Sequence, residues 1–125
     1  MIVETNKSLK NFNTFGIDCK AHYYVSVAST SQLMAMLSDN KYKARFILGG
    51  GSNMLLTKDI NALVIHLNLK GIKVLSETED HVHIEAMAGE NWHEFVLYCI
   101  EKGYGGLENL SLIPGNTGTT PIQNI

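Results

Sequence analysis

The feature that most constrains this chain is an apolar run that stops at three successive glycines. Arg45-Phe46-Ile47-Leu48 leads into Gly49-Gly50-Gly51, then Ser52-Asn53 and a second apolar run, Met54-Leu55-Leu56. Consecutive glycines raise the entropic cost of folding and contribute no packing. They belong where the main chain comes very close to another group or adopts positive φ. A loop of successive N–H groups curled in this way forms an anion-binding concavity without lysine or arginine. Phosphate is the usual anion of that kind. A tight turn between two buried strands is the competing reading, and the loop alone does not decide between them, because short motifs often match by chance.

What the loop lacks also narrows the fold. A Rossmann fingerprint needs G-x-G-x-x-G opening onto a helix, and an acidic residue at the end of the next strand. Gly49 and Gly51 fill the first two places, but Met54 stands in the third. Lys58-Asp59-Ile60-Asn61 then interrupts the chain, and the next strand, Ala62 to Leu67, ends in Asn68. A Rossmann domain does not fit. No G-x-x-x-x-G-K-[ST] is present, which excludes a P-loop NTPase.

At 125 residues the chain has the length of one domain. A net charge of −2, with acids and bases scattered, leaves no basic stripe for a nucleic-acid backbone. An anionic small molecule must therefore be held mostly by backbone N–H groups and dipoles. No apolar run approaches the roughly 18 residues of a membrane span. Met1 to Lys7 lacks the charged-then-apolar pattern of a signal peptide. Cys19 and Cys99 form no CxxC pair, and Cys99 falls on an apolar helix face. A reducing, cytoplasmic setting is the expectation.

Along the chain, residues 1–17 read as an N-terminal lead-in segment. Its part from Ser8 to Gly16 is expected to be extended, with Phe12 and Phe15 docked on the body. His22 to Ala28 is aromatic and β-branched and predicts a strand. Ser29 followed by Gln32 gives a capping-box pattern, and Leu33, Met36 and Leu37 predict a short amphipathic helix over 30–39. Strands are predicted at 44–48, 62–67 and 71–75. In 81–87, Val82, Ile84 and Ala86 alternate with His81, His83, Glu85 and Met87, predicting a half-buried strand in a hairpin. His81, His83 and Glu85 read as a solvated face, since no fourth ligand or motif accompanies them. A second helix starts at the N-cap Asn91, with Glu94 three residues on and a stripe of Trp92, Phe95, Val96, Cys99 and Ile100. Lys102-Gly103 closes it. His93 beside the stripe reads as a surface or hydrogen-bonded residue.

The last stretch, from Gly105 to Ile125, mixes prolines, glycines and small hydroxylated residues and suits regular structure poorly. Long irregular segments in compact domains usually contact a ligand. Gly115 and Gly118 are expected to offer backbone amides, and Thr119 and Thr120 hydroxyls. The stop at Ile125, without a closing element, suggests an incomplete domain.

Four stretches together resemble the UDP-N-acetylenolpyruvoylglucosamine reductase family of bacterial flavoenzymes. They are Asn13-Thr14-Phe15-Gly16, the loop at 49–55, Ala88-Gly89-Glu90-Asn91-Trp92-His93, and Gly106-Leu107-Glu108-Asn109-Leu110 through Ile113-Pro114-Gly115 to Pro121-Ile122-Gln123-Asn124-Ile125. The resemblance covers the chain in order. It implies an α+β FAD-binding domain of the vanillyl-alcohol-oxidase (PCMH) type, occupying 18–125, which does not use a Rossmann fingerprint. It also implies FAD-binding positions at Gly49, Gly50, Gly51, Ser52, Asn53 and Met54, and at Ile113, Pro114, Gly115, Gly118, Thr119, Thr120, Ile122 and Gln123. The family reduces UDP-N-acetylglucosamine enolpyruvate to UDP-N-acetylmuramate with NADPH, in peptidoglycan precursor synthesis. Its glycine-alanine-tyrosine-glycine run, its catalytic arginine, serine and glutamate, and its UDP-sugar site lie past the position of Ile125. No catalytic and no metal-binding residue is therefore assigned in this chain. The alternative class is a non-catalytic binding module for a phosphorylated small molecule or nucleotide; a third is a partly folded piece that binds nothing alone.

Overall fold

The computed structural model describes residues 1–125. Strand β1 (Glu4–Ser8) pairs antiparallel with β2 (Lys20–Val27). β2, β3 (Arg45–Leu48) and β4 (Ile60–Leu67) run parallel, in a sheet of order β1-β2-β4-β3. The central strand β4 buries Leu63, Val64 and Ile65 in succession, so both of its faces are covered. That is why it reads as a continuous apolar run rather than an alternating one.

One face of the sheet carries helix α1 (Thr30–Ser38), with Met36 packed among Val25, Val27, Tyr42, Leu63 and Ile65. Ser29 Oγ accepts the Gln32 N–H at 3.2 Å, and Gln32 Oε1 accepts the Ala28 N–H at 2.8 Å. The glutamine thus reaches one residue further back than a capping box requires. Leu37, expected in the apolar stripe, is exposed, because it lies about 100° around the helix from Met36.

The other face is covered by the N-terminal segment and the stretch after the glycine loop, through Leu9, Cys19 and Leu56 against Ala21, Tyr24, Leu48 and Val64. Residues 1–17 are therefore not simply an extended lead-in. They supply an edge strand, a 3₁₀ turn at Lys10–Phe12 and a fully buried leucine. Phe12 docks as expected, its ring 5.3 Å from Tyr24 and 5.2 Å from His66. Phe15 does not: it is 70% exposed, turned outward by the reversal at Gly16, whose φ is +66°.

A second unit follows. β5 (Ile72–Glu77) and β6 (Val82–Ala86) form an antiparallel hairpin. Helix α2 (Trp92–Glu101) lays Trp92, Phe95, Val96 and Cys99 against Ile72, Ile84 and Ala86. Asn91 Oδ1 caps it by accepting the Glu94 N–H at 3.0 Å, and Gly103 at φ +75° ends it. Ile100 is exposed, so the buried stripe is narrower than expected. His83 and Glu85 face outward on β6. Trp92 Nε1 donates to the Leu110 carbonyl at 2.8 Å and fastens α2 to the C-terminal segment.

Candidate functional site

β2, β3 and β4 point their C-terminal ends the same way, and Gly49-Gly50-Gly51 follows β3 directly. The region beyond the carboxyl ends of parallel strands is where open α/β sheets hold ligands. Gly51 is buried with φ +67°, and a methyl placed on it would lie 2.0 Å from the Phe12 carbonyl oxygen. Its own carbonyl accepts the Thr14 N–H at 3.0 Å. No backbone N–H from Gly49 to Met54 donates to a protein acceptor. These amides are free for solvent or a ligand, and successive free amides in a loop can hold an anion.

The second loop is laid alongside residues 87–92. Thr117 N–H donates to the Glu90 carbonyl at 2.8 Å, Gly118 N–H to Ala88 at 3.1 Å, and Trp92 N–H to Gly115 at 2.9 Å. Thr117 Oγ1 adds a bond to the Met87 carbonyl at 2.5 Å. A methyl on Gly118 would sit 2.7 Å from the Ala88 Cβ, so only glycine permits this approach. The two loops then touch. A methyl on Gly49 would meet the Thr119 Cγ2 at 2.8 Å, and one on Gly115 the Ser52 Oγ at 3.0 Å.

Between them lies a cleft of about 200 Å³, lined by Ile47, Gly49, Gly51, Ser52, Asn53, Met54, Leu67, Ala88, Gly118, Thr119, Ile122 and Gln123. That is smaller than the roughly 300–1,000 Å³ of most ligand pockets, so it takes part of an extended molecule. No charged side chain lines it. Its walls combine apolar carbon with main-chain donors, a setting for a ligand that carries both a phosphate-like anion and an apolar part.

The structure thus brings together nine of the expected positions: Gly49, Gly51, Ser52, Asn53, Met54, Gly118, Thr119, Ile122 and Gln123. The other five are not in its lining. Gly50 packs against Gly115 and Asn116, Ile113 packs on the α2 core, and the Pro114 carbonyl accepts Gln123 Nε2 at 3.2 Å. Thr120 Oγ1 donates to the Thr117 carbonyl at 2.9 Å, and Thr119 Oγ1 to Asn116 at 2.8 Å. The hydroxyl protons and the Gly118 amide, expected to face a ligand, instead hold the loop in shape. Ile47, Leu67 and Ala88 were not expected in the lining. Ile47 pairs in register with Ile65, and its near-terminal place in β3 was the available signal.

The nearby titratable groups are engaged structurally. Glu90 Oε1 accepts the Gly71 N–H at 2.7 Å, and His93 Nδ1 accepts the Leu112 N–H at 3.1 Å. Hydrogen bonds from its own N–H and from that of Gly106 hold the Glu108 carboxyl below the ordinary range. His66, against the Phe12 ring and bonded through Nδ1 to Tyr24 Oη at 2.8 Å, has its pKa pushed down by burial and then by Lys70. No group of three or more His, Cys, Asp or Glu side chains is placed to hold a metal ion. No helix is long and apolar enough to cross a membrane.

The chain is similar to known proteins along its length. The chain is 58% identical over 125 residues to UDP-N-acetylenolpyruvoylglucosamine reductase of Flavobacterium johnsoniae, covering 100% of this chain and 37% of that protein. It is 48% identical over 127 residues to the reductase of the same name from Amoebophilus asiaticus, again covering 100% of this chain and 38% of that one. The crystal structure of UDP-N-acetylenolpyruvylglucosamine reductase from Thermus caldophilus superposes with a TM-score of 0.71 at 25% identity, over 96% of this chain and 41% of that one. The chain thus spans about two fifths of the length of the relatives it matches. The model of the FAD binding domain family matches residues 21–125, which include both loops and, but for Lys20, all of the sheet after its first strand. With that match over most of its length, the chain belongs to the FAD binding domain family.

Proposed function

We propose that this chain is the N-terminal FAD-binding portion of a UDP-N-acetylenolpyruvoylglucosamine reductase, acting in the cytoplasm. The whole enzyme would reduce UDP-N-acetylglucosamine enolpyruvate to UDP-N-acetylmuramate with NADPH, for peptidoglycan synthesis. The observation that carries this reading is the convergence of two loops on one uncharged cleft, one of them presenting a row of unpaired amides. The 58% identity along the whole chain to a reductase of that name supports it.

When bound, the flavin supplies the hydride chemistry. The chain's own part is to bind and orient. Gly49 to Met54 would donate main-chain N–H groups to the diphosphate, and Ile47, Leu67, Ala88, Ile122 and Gln123 would bound the rest of the molecule. Ile113, Pro114, Gly115 and Thr120 would brace the second loop from behind. Three charge-assisted N–H bonds at about 1.5–3 kcal/mol each give roughly 5–9 kcal/mol of gross anchoring before ordering costs. The arginine, serine and glutamate of the reaction would come from the remaining three fifths of the length seen in the relatives, so residues 1–125 alone would be inactive.

The test is to purify the full-length protein and residues 1–125 side by side and record the visible flavin bands. The full-length protein should retain FAD at about one per chain and oxidise NADPH when the enolpyruvyl sugar nucleotide is added. Residues 1–125 should hold FAD weakly or not at all. A full-length protein that neither retains nor takes up FAD would overturn the reading.

A further inference from the structure

The N-terminal strap from Leu9 to Ile17 crosses directly under the glycine-rich loop, and one side chain closes it. Asn13 is 8% exposed and is a buried polar residue in an otherwise apolar core. Its Nδ2 donates to the Leu9 carbonyl at 2.7 Å and to the Ile17 carbonyl at 3.0 Å, and its Oδ1 accepts the Ile17 N–H at 3.0 Å. The two ends of the strap are therefore clamped by a single amide. Backbone bonds complete the turn: Phe12 N–H to Leu9 at 2.9 Å and Gly16 N–H to Asn13 at 3.2 Å.

The clamped strap bears on Gly51 from one side. Thr14 N–H donates to the Gly51 carbonyl at 3.0 Å, and the Phe12 carbonyl and Asn13 Cα fill the space where a Gly51 side chain would be. Below, the Phe12 ring is wedged between Tyr24 and His66 on the sheet. With its carbonyl tied down at φ +67°, Gly51 orients the peptides on either side of it, and these belong to the row of unpaired amides. Fixing a row of donors before a ligand arrives removes an ordering cost from binding.

We propose that Asn13 is a positioning residue for flavin binding: its amide locks the strap that holds the glycine-rich loop in ligand-ready form. The inference rests on the flavin reading above. Only an amide serves here. An aspartate of the same shape would turn a charged oxygen toward two carbonyls that now receive hydrogen bonds.

The experiment uses the full-length protein stripped of flavin, as wild type, Asn13→Asp and the milder Gly16→Ala. Gly16 has open space around it and φ +66°, so a methyl there strains the turn without a clash and preserves folding if Asn13→Asp does not. FAD dissociation constants, hydrogen exchange of the Thr14 amide that donates to the Gly51 carbonyl, and kcat at saturating FAD are measured together. Asn13→Asp should weaken FAD at least tenfold, and Gly16→Ala about fivefold. In both, exchange should quicken at Thr14 but not in β4, while kcat at saturating FAD stays within twofold. Wild-type affinity in either folded variant, or faster exchange spread evenly over the sheet, overturns the positioning role and leaves the flavin reading standing. Failure of the wild-type protein to bind FAD overturns both.

Discussion

Valine in place of Gly118 places a branched side chain where even a methyl would lie 2.7 Å from the Ala88 Cβ and 3.0 Å from its carbonyl oxygen. Neither neighbour can yield cheaply, because Ala88 is main chain and a short side chain between β6 and α2. The second loop must therefore lift off. Lifting breaks the Gly118 and Thr117 backbone bonds and the Thr117 hydroxyl bond to Met87. At a net 0.5–1.5 kcal/mol each, three bonds amount to about 1.5–4.5 kcal/mol of lost docking. At 1.4 kcal/mol per tenfold, the FAD dissociation constant should rise roughly 10- to 1,000-fold. The four-stranded sheet does not touch this contact, so far-ultraviolet circular dichroism should be unchanged. Fluorescence titration of the flavin-stripped full-length protein reads the constant, with Gly105→Val as control, since a Cβ on Gly105 meets nothing within 4 Å. A Gly118→Val protein that binds FAD within threefold of wild type would refute the idea that loop-to-loop contact shapes the site.

Three further outcomes follow from the packing. Leu9→Ala removes a side chain with no exposed surface, and should cost about 2–5 kcal/mol in urea unfolding; a loss under 1 kcal/mol would show that the N-terminal segment is not part of the core. Trp92→Phe deletes the bond to the Leu110 carbonyl and should cost about 1–3 kcal/mol, read by circular dichroism because Trp92 is the single tryptophan. The third concerns His66, whose folded pKa lies below the ordinary imidazole value of about 6.5 because burial disfavours its charged form. Above that pH both states hold the ring neutral, and as pH falls below it the unfolded chain takes up the proton first. Stability should therefore decline from pH 6.5 downward until the folded pKa is reached. His66→Gln should lose that part of the slope in urea titrations at stepped pH.

The elements with local chemical signatures were legible in the sequence. Both helix starts could be read from Ser29 and Asn91, and both capping side chains accept the N–H three residues on. Strands β2, β4 and β6 followed from β-branched and alternating residues. β1 was not readable, because Glu-Thr-Asn-Lys-Ser has no apolar alternation; it is held at the sheet edge by its ladder with β2. Phe15 and Ile100 were misplaced for a related reason. Apolar character says that burial is favourable, but a reversal at Gly16 and a 100° step past Cys99 decide which way the side chain points.

The site divides in the same way. Glycines announce where backbone must come close, and Gly49, Gly51, Gly115 and Gly118 all do so. Which neighbour they approach is tertiary information. Nothing local reveals that Gly118 meets Ala88, or that Gly51 leans on Phe12 and Asn13, more than thirty positions earlier in the chain. The threonine hydroxyls looked like ligand donors because their types suit that task, but short-range carbonyls within the loop already receive their protons.

The most direct test of the central claim is a crystal structure of the full-length protein with FAD bound. Diphosphate oxygens should lie about 2.7–3.2 Å from backbone nitrogens between Gly49 and Met54, with no lysine or arginine needed to neutralise them, while the far side of the molecule touches residues of the 113–123 loop. A dinucleotide seated away from both turns, with those amides bonded only to solvent, would contradict it.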